Sequence, residues 1–122
     1  MSRDATLYIE DILEASKDVD LFIGNLNREE FLLDKKTIAA TSRCFEIIGE
    51  AVKKLPEPWT SSEPGIPWKS IAGLRDMLAH GYFKVDDSVI WDSATSHLPS
   101  LVAACERILD RVESEESPKE ER

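Results

Sequence analysis

The sequence predicts an all-α fold, an antiparallel up-and-down bundle of four to five helices. Two observations support this prediction. Apolar residues recur at alternating spacings of three and four along most of the chain, and no useful run alternates apolar and polar residues as a strand would. The chain has 122 residues, which suits one compact domain. We place this domain at residues 1–112 and expect the charged segment 113–122 to be a disordered tail.

Boundary signals and apolar stripes define the first two predicted helices. The first covers about residues 4–23 and ends at Gly24, and a connector with at most one short turn spans residues 25–34. Asp34 is a plausible N-cap of the second helix, which runs to about Lys54. The expected buried stripes are Tyr8, Ile12, Ala15, Val19 and Phe22 on the first helix, and Ile38, Thr41, Phe45, Ile48, Val52 and Leu55 on the second.

A proline-rich segment separates the second predicted helix from the third. Four prolines between residues 56 and 67 predict a long loop, and long loops are often functional. The third helix starts at or just after Pro67 and runs to about Ala79 or His80. Gly81 stands where a left-handed C-terminal cap is expected.

The last part of the chain predicts one or two more helices. Asp86 or Asp87 can cap a fourth helix, and Pro99 predicts a break or kink in it. The final amphipathic segment carries the stripe Leu98, Leu101, Cys105, Ile108 and Val112.

Charge is distributed unevenly along the chain. The net charge of −9 argues against a general nucleic-acid binder. Residues 1–34 and 85–122 each carry −6, whereas residues 35–84 carry +3. The acidic flanks could restrict where an RNA docks or could meet a basic partner, or they could simply be solvated helix faces.

Three features bear on location. The sequence has no apolar run long enough to span a membrane, and the early acidic residues lack the apolar core of a signal peptide. Cys44 and Cys105 fall on apolar stripes and are expected to be buried free thiols. We therefore expect a cytoplasmic protein that does not associate with membranes.

The residues that suggest chemistry cluster near the end of the third predicted helix. Arg75, His80 and Tyr82 lie within eight residues, and a guanidinium beside an imidazole suits phosphodiester cleavage without a metal. Asp76 precedes His80 by four residues, on the same helix face, and could hydrogen-bond its imidazole. Arg75 and His80 lie about 140° apart around a regular helix. A turn at Gly81 or the length of the arginine could reconcile the two positions.

Each of these residues also has an ordinary structural interpretation. Arg75 could form an ion pair with Asp76 or Glu50, His80 could favour the helix C-terminus through the dipole, and Tyr82 could be a half-buried aromatic. Elsewhere, Glu46 and Glu50 make only a weak carboxylate pair, so we expect no metal. His97 is expected to be structural or exposed. The tryptophans Trp59, Trp68 and Trp91 are expected to anchor the core or an interface.

The motif and its surroundings resemble the R-x4-H-x-Y motif of HEPN-domain ribonucleases, specifically the HepT toxin family. Similar segments are Ile66–Leu74 before the motif, Phe83–Asp86 after it and Ile48–Ala51 on the second helix. The resemblance covers about residues 5–112 and implies a HEPN-type bundle. Many HEPN proteins have Asn after the motif arginine, where this chain has Asp76.

The resemblance implies a metal-independent endoribonuclease toxin without a cofactor. Its RNA substrate would be cut by attack of the 2′-hydroxyl, with Arg75 and His80 catalytic and Asp76 supporting the site. It also implies a homodimer that brings two motifs together, and a nucleotidyltransferase (MntA-like) antitoxin that transfers AMP to Tyr82. Two alternatives remain open: a non-catalytic interaction module, or a nucleotide sensor that binds phosphates with Arg75 and Lys84.

Overall fold

A computed structural model describes residues 4–81 and 85–116, and these residues are helical apart from short connectors. The predicted all-α bundle of HEPN type is confirmed. The α-helices are α1 (Ala5–Ile23), α2 (Arg28–Leu32), α3 (Lys35–Lys53), α4 (Glu57–Ser61), α5 (Trp68–His80), α6 (Asp87–Asp92) and α7 (Leu98–Glu116), and a π-helical turn (Ser93–His97) joins the last two.

The core forms where α3 packs against α1 and where α7 closes the other side of α1. The stripes predicted on α3 and α7 are confirmed, since every residue named on them is buried. The stripe predicted on α1 is only partly correct. Ile12, Ala15 and Val19 are buried, but Phe22 is 42% exposed and Tyr8 is half-buried. The buried line runs instead through Ile9 and Ser16, which continue the same three-and-four spacing.

Side-chain caps begin the helices where the sequence indicated. The Asp34 carboxylate accepts from the Thr37 backbone N–H at 3.0 Å, and the Asp86 carboxylate accepts from the Ser88 N–H at 2.8 Å. These backbone hydrogen bonds lower the pKa of both carboxyl groups, because they favour the charged form. Asp34 and Asp86 are therefore N-caps, as predicted.

Two parts of the chain are more helical than predicted. The proline-rich loop contains α4, with Pro56 at its N-cap, and α7 continues to Glu116, past the predicted domain boundary at residue 112. Residues 113–116 are thus helical rather than disordered, because a helix already packed on the core extends at little cost. The rest of the predicted tail lies outside the described residues.

Pro99 does not end the helical path. A π-helical turn precedes it, in which the Leu98 N–H donates to the Ser93 carbonyl oxygen. Proline lacks an N–H and its ring crowds the carbonyl four residues earlier, so a wider turn accommodates it without a break. The predicted break at Pro99 is therefore absent, and a local change of helix type stands in its place.

The α4–α5 connection is tied to α7 by a buried carboxylate. Glu63 is 8% exposed and accepts hydrogen bonds from Arg107 at 2.8 Å and from Arg111 at 3.0 Å. Chiefly through the Arg107 hydrogen bond, these partners lower the pKa of the Glu63 carboxyl. The Glu63 carbonyl oxygen also accepts from Trp68 Nε1 at 3.1 Å, at the start of α5. This anchor helps to fix the N-terminal end of α5, the helix that carries Arg75 and His80.

Both cysteines are buried free thiols, as predicted. Burial raises the pKa of the Cys105 thiol to about 12, so it is inert as a nucleophile. No helix in the described part of the chain is long and apolar enough to cross a membrane.

Candidate active site

The motif helix α5 lies at the edge of the bundle. None of its 13 residues is buried, and its main packing partner is α3. Its inner side is apolar, with half-buried Ile71, Leu74 and Leu78 packed against the core, while Met77 is 43% exposed. The helix therefore presents one side to α3 and leaves much of its remaining surface open.

A glycine brings α3 and α5 unusually close at the motif arginine. A Cβ atom built on Gly49 would lie 2.2 Å from the Arg75 Cβ and 3.0 Å from the Ile71 carbonyl oxygen. Only a residue without a side chain fits there. The backbone of Arg75 consequently rests directly on α3. We did not assign this role from sequence, although a glycine inside a helical pattern is a known signal of close packing.

The Arg75 guanidinium is held between two carboxylates. Its Nε lies 3.2 Å from Glu50 Oε1, and its Nη1 lies 3.1 Å from Asp76 Oδ1. Lys53 Nζ contacts the same Asp76 oxygen at 2.9 Å. The Lys53 and Arg75 hydrogen bonds lower the pKa of the Asp76 carboxyl. The ion pairs considered from sequence for Arg75 are thus both present. Lys53, whose part was not predicted, completes the network.

His80 is the last residue of α5 and is exposed. Gly81 follows as a left-handed cap with φ of 68°, and its N–H donates to the Met77 carbonyl oxygen. Because the helix stays regular through His80, the turn at Gly81 comes too late to reduce the angle of about 140° between Arg75 and His80. That part of the sequence interpretation is wrong.

The second means of bringing Arg75 toward His80, the length of the arginine side chain, stays a prediction. Its guanidinium reaches Asp76, and Asp76 lies one turn before His80 on the same helix face. The described partners of Asp76 are Lys53 and Arg75, so its expected hydrogen bond to the imidazole remains a prediction. Tyr82 and Lys84 lie outside the described residues.

An open cleft borders the arginine network. It has a volume of about 410 Å³ and is lined by Tyr8, Asp11, Arg43, Glu46, Ile47, Glu50, Ala51, Lys54 and Arg75. Its walls come from α1 and α3, the C-cap of α3 and one side chain of α5. Arg43 pairs with Glu46 at 3.1 Å within it. The cleft gives a solute access to the guanidinium.

The other candidate residues take structural positions. His97 is exposed on the π-helical turn, and Trp59, Trp68 and Trp91 are half-buried against the core, as expected. The Trp91 ring lies 5.2 Å from that of Phe31. Within the described ranges, no group of His, Cys, Asp or Glu side chains could hold a metal ion.

The family profile and the similar proteins that match this chain indicate the same family. The sequence profile of the ribonuclease HepT-like family matches residues 12–108. The "Probable ribonuclease HepT" of Thermococcus cleftensis is 42% identical over 88% of this chain and 98% of its own. Two Methanocaldococcus jannaschii proteins, named provisionally as RNases, are 41% and 40% identical, each over 93% of this chain and 94% of its own. No solved structure matches the chain. The chain belongs to the ribonuclease HepT-like family.

Proposed function

We propose that the protein is a metal-independent endoribonuclease and the toxin of a toxin–antitoxin pair. One observation supports this best. The same helix carries the Arg75 guanidinium, which is held at the rim of an open cleft, and the His80 imidazole, which is exposed at the helix end. Family membership and the ribonuclease names of the relatives support RNA as the substrate.

The proposed reaction is a transesterification within the RNA. The 2′-hydroxyl oxygen forms a bond to the adjacent phosphorus while the bond from phosphorus to the 5′-oxygen breaks. One proton leaves the 2′-hydroxyl and one reaches the 5′-oxygen. The products are therefore a 2′,3′-cyclic phosphate and a 5′-hydroxyl. His80 acts as general base or general acid in one of these proton transfers, and water accepts or donates the proton in the other. General acid–base catalysis typically raises the rate by roughly 10²–10⁴-fold. Arg75 stabilises the charge that develops on the phosphorus oxygens.

A homodimer would complete the site. No residue of α5 is buried and Met77 is 43% exposed, so the motif helix has a surface that a second copy would cover. A two-fold axis along α5 would place two motifs in one cleft. Arg75 of one protomer could then act with His80 of its partner, so the angle between them on one helix would no longer matter.

Control by a cognate nucleotidyltransferase follows from the same family resemblance. We propose that this cytoplasmic antitoxin transfers AMP from a nucleoside triphosphate to the Tyr82 hydroxyl, with release of pyrophosphate. The adduct would add negative charge and volume two residues beyond His80, where RNA must approach.

The test is cleavage of single-stranded RNA by the purified protein in EDTA. We expect activity for the wild type, no activity for His80→Ala and impaired activity for Arg75→Lys, because lysine keeps the charge but loses the planar fork. His97→Ala is the matched control, since His97 is also exposed but lies outside the motif. If His80→Ala cuts RNA as fast as the wild type, the mechanism is wrong. Saturable nucleotide binding without cleavage would instead favour a sensor.

A further inference from the structure

We infer that the Glu50 carboxylate occupies the position at which the Arg75 guanidinium receives a phosphate of the RNA. This inference rests on the proposed function, and it assigns the phosphate site to the cleft between α1 and α3. The Glu50 carboxylate pairs with Arg75 in the free protein, and an RNA phosphate must displace it to reach the guanidinium.

The argument begins with the donors of the guanidinium. Arginine can bind a phosphate through two parallel hydrogen bonds, either from Nε and one terminal nitrogen or from both terminal nitrogens. The Glu50 carboxylate lies 3.2 Å from Nε in an ion pair, and Asp76 accepts a hydrogen bond from Nη1 at 3.1 Å. Each two-donor edge of Arg75 therefore already has one carboxylate on it. A phosphate that binds through Nε and the adjacent terminal nitrogen must displace Glu50, which lies at Nε.

Glu50 is the carboxylate that can leave. Asp76 is shared between Arg75 and Lys53, with contacts at 3.1 and 2.9 Å, so its departure would break two ion pairs. Among the described residues Glu50 makes a single ion pair, at 3.2 Å, and its side chain is 47% exposed. Asp76 thus remains as the group that orients the guanidinium, whereas Glu50 exchanges with an incoming anion.

The cleft lining carries the carboxylates of Asp11 and Glu46 in addition to Glu50. The attraction for an anion in place of Glu50 therefore comes from Arg75 and Lys54. Glu50 lines the 410 Å³ cleft, so the space that its carboxylate would vacate is open to solvent and to substrate. Lys54 follows four residues later and lines the same cleft, and it has no ion pair within the described part of the chain. A phosphate at this position would meet the Arg75 fork and the Lys54 ammonium together.

The experiment measures binding separately from cleavage. The full-length protein is titrated onto a fluorescein-labelled 2′-O-methyl RNA oligonucleotide, which lacks the attacking hydroxyl and cannot be cut. Glu50→Gln should bind about 2–5-fold more tightly than the wild type, which is the range expected for removing a competing exposed ion pair. Lys54→Gln should bind more weakly and with a smaller dependence on salt.

Glu46→Gln is the matched control. Glu46 lies one turn earlier on α3 and lines the same cleft, but it pairs with Arg43 rather than Arg75. Its replacement removes the same charge and should change affinity less than Glu50→Gln does. In an Arg75→Ala background, Glu50→Gln should gain no more affinity than Glu46→Gln does.

The outcomes separate the two proposals. Weaker binding by Glu50→Gln, or a gain no larger than that of Glu46→Gln, would overturn this inference while leaving wild-type cleavage of unmodified RNA intact. If the wild type neither binds the modified oligonucleotide nor cuts unmodified RNA, the proposed function itself fails, and the phosphate site fails with it.

Discussion

Replacing Gly49 with alanine should displace the motif arginine without removing any catalytic group. The new Cβ would lie 2.2 Å from the Arg75 Cβ and 3.1 Å from its Cγ. Carbon atoms in contact normally stand about 3.5–4.0 Å apart, so α5 must retreat from α3 by about 1.5 Å at this point. Because the Arg75 Cβ and the Ile71 carbonyl oxygen are fixed to the backbone, rotation of a side chain cannot relieve the clash.

The expected effect on stability is modest and the effect on activity is larger. Overpacking costs about 1–3 kcal/mol and the better helix propensity of alanine offsets about 1 kcal/mol of it, so the unfolding free energy should fall by about 0–2 kcal/mol. A misplacement near 1 Å can cost about 100-fold in rate. The assay compares urea unfolding with the initial rate of RNA cleavage, under conditions in which both proteins are folded.

Gly73→Ala is the control for the loss of a helical glycine. Gly73 lies within α5, and a Cβ there meets no atom within 4 Å. This variant should be as stable as the wild type or more stable by up to about 1 kcal/mol. If Gly49→Ala proves as stable and as active as Gly73→Ala, the close approach of the helices does not position Arg75.

Three further predictions concern single side chains. Glu63→Gln should lower the unfolding free energy at neutral pH by about 1–3 kcal/mol, because the charged hydrogen bonds from Arg107 are weakened. The pKa of Glu63 is lowered in the folded state, so this stabilisation is present above its usual value of 4.5 and is lost as pH falls through the folded pKa. Urea titrations from pH 7 down to acid should therefore be flatter for the variant. Thr41→Val should raise stability by about 1 kcal/mol in thermal unfolding, since the Thr41 hydroxyl is buried without a hydrogen-bond partner among the described residues. Tyr82→Phe should keep its nuclease activity but should receive no AMP on co-expression with the proposed nucleotidyltransferase antitoxin. The measurement is the intact mass of the toxin after co-expression. If the wild-type toxin is fully inhibited but carries no added mass, the antitoxin inhibits it by steric blocking rather than by modification.

Local signals in the sequence predicted the helices and their ends. The spacing of apolar residues placed α3 and α7 correctly, because a buried helix face imposes its period on the sequence. Gly81 and Asp34 act through bonds to residues three or four positions away, so their capping roles were predictable too. The same reasoning failed for Phe22, which lies beside the stripe in the last turn of α1, where packing alone decides exposure.

Contacts between distant residues were beyond the reach of these local signals. Lys53 and Asp76 are 23 positions apart, and Glu63 and Arg107 are 44 apart. No period or spacing connects such pairs, because the packing of whole helices brings them together. For the candidate site, the sequence therefore predicted the residue types on α5 and offered Glu50 as a partner of Arg75, but it did not predict the part played by Lys53.

Mixing two inactive variants tests whether each active site uses residues of both protomers. Arg75 and His80 lie about 140° apart on one regular helix, so we propose that each site combines Arg75 of one protomer with His80 of the other. A dimer of Arg75→Ala with His80→Ala then contains one site with both native residues and one site with neither. Random exchange of subunits makes half of the dimers mixed, so an equal mixture should recover about a quarter of wild-type activity. Each variant alone should remain inactive. If Arg75 and His80 act from the same protomer, no dimer in the mixture has a complete site. A mixture that stays inactive, despite subunit exchange shown by native mass spectrometry, would therefore refute the shared site.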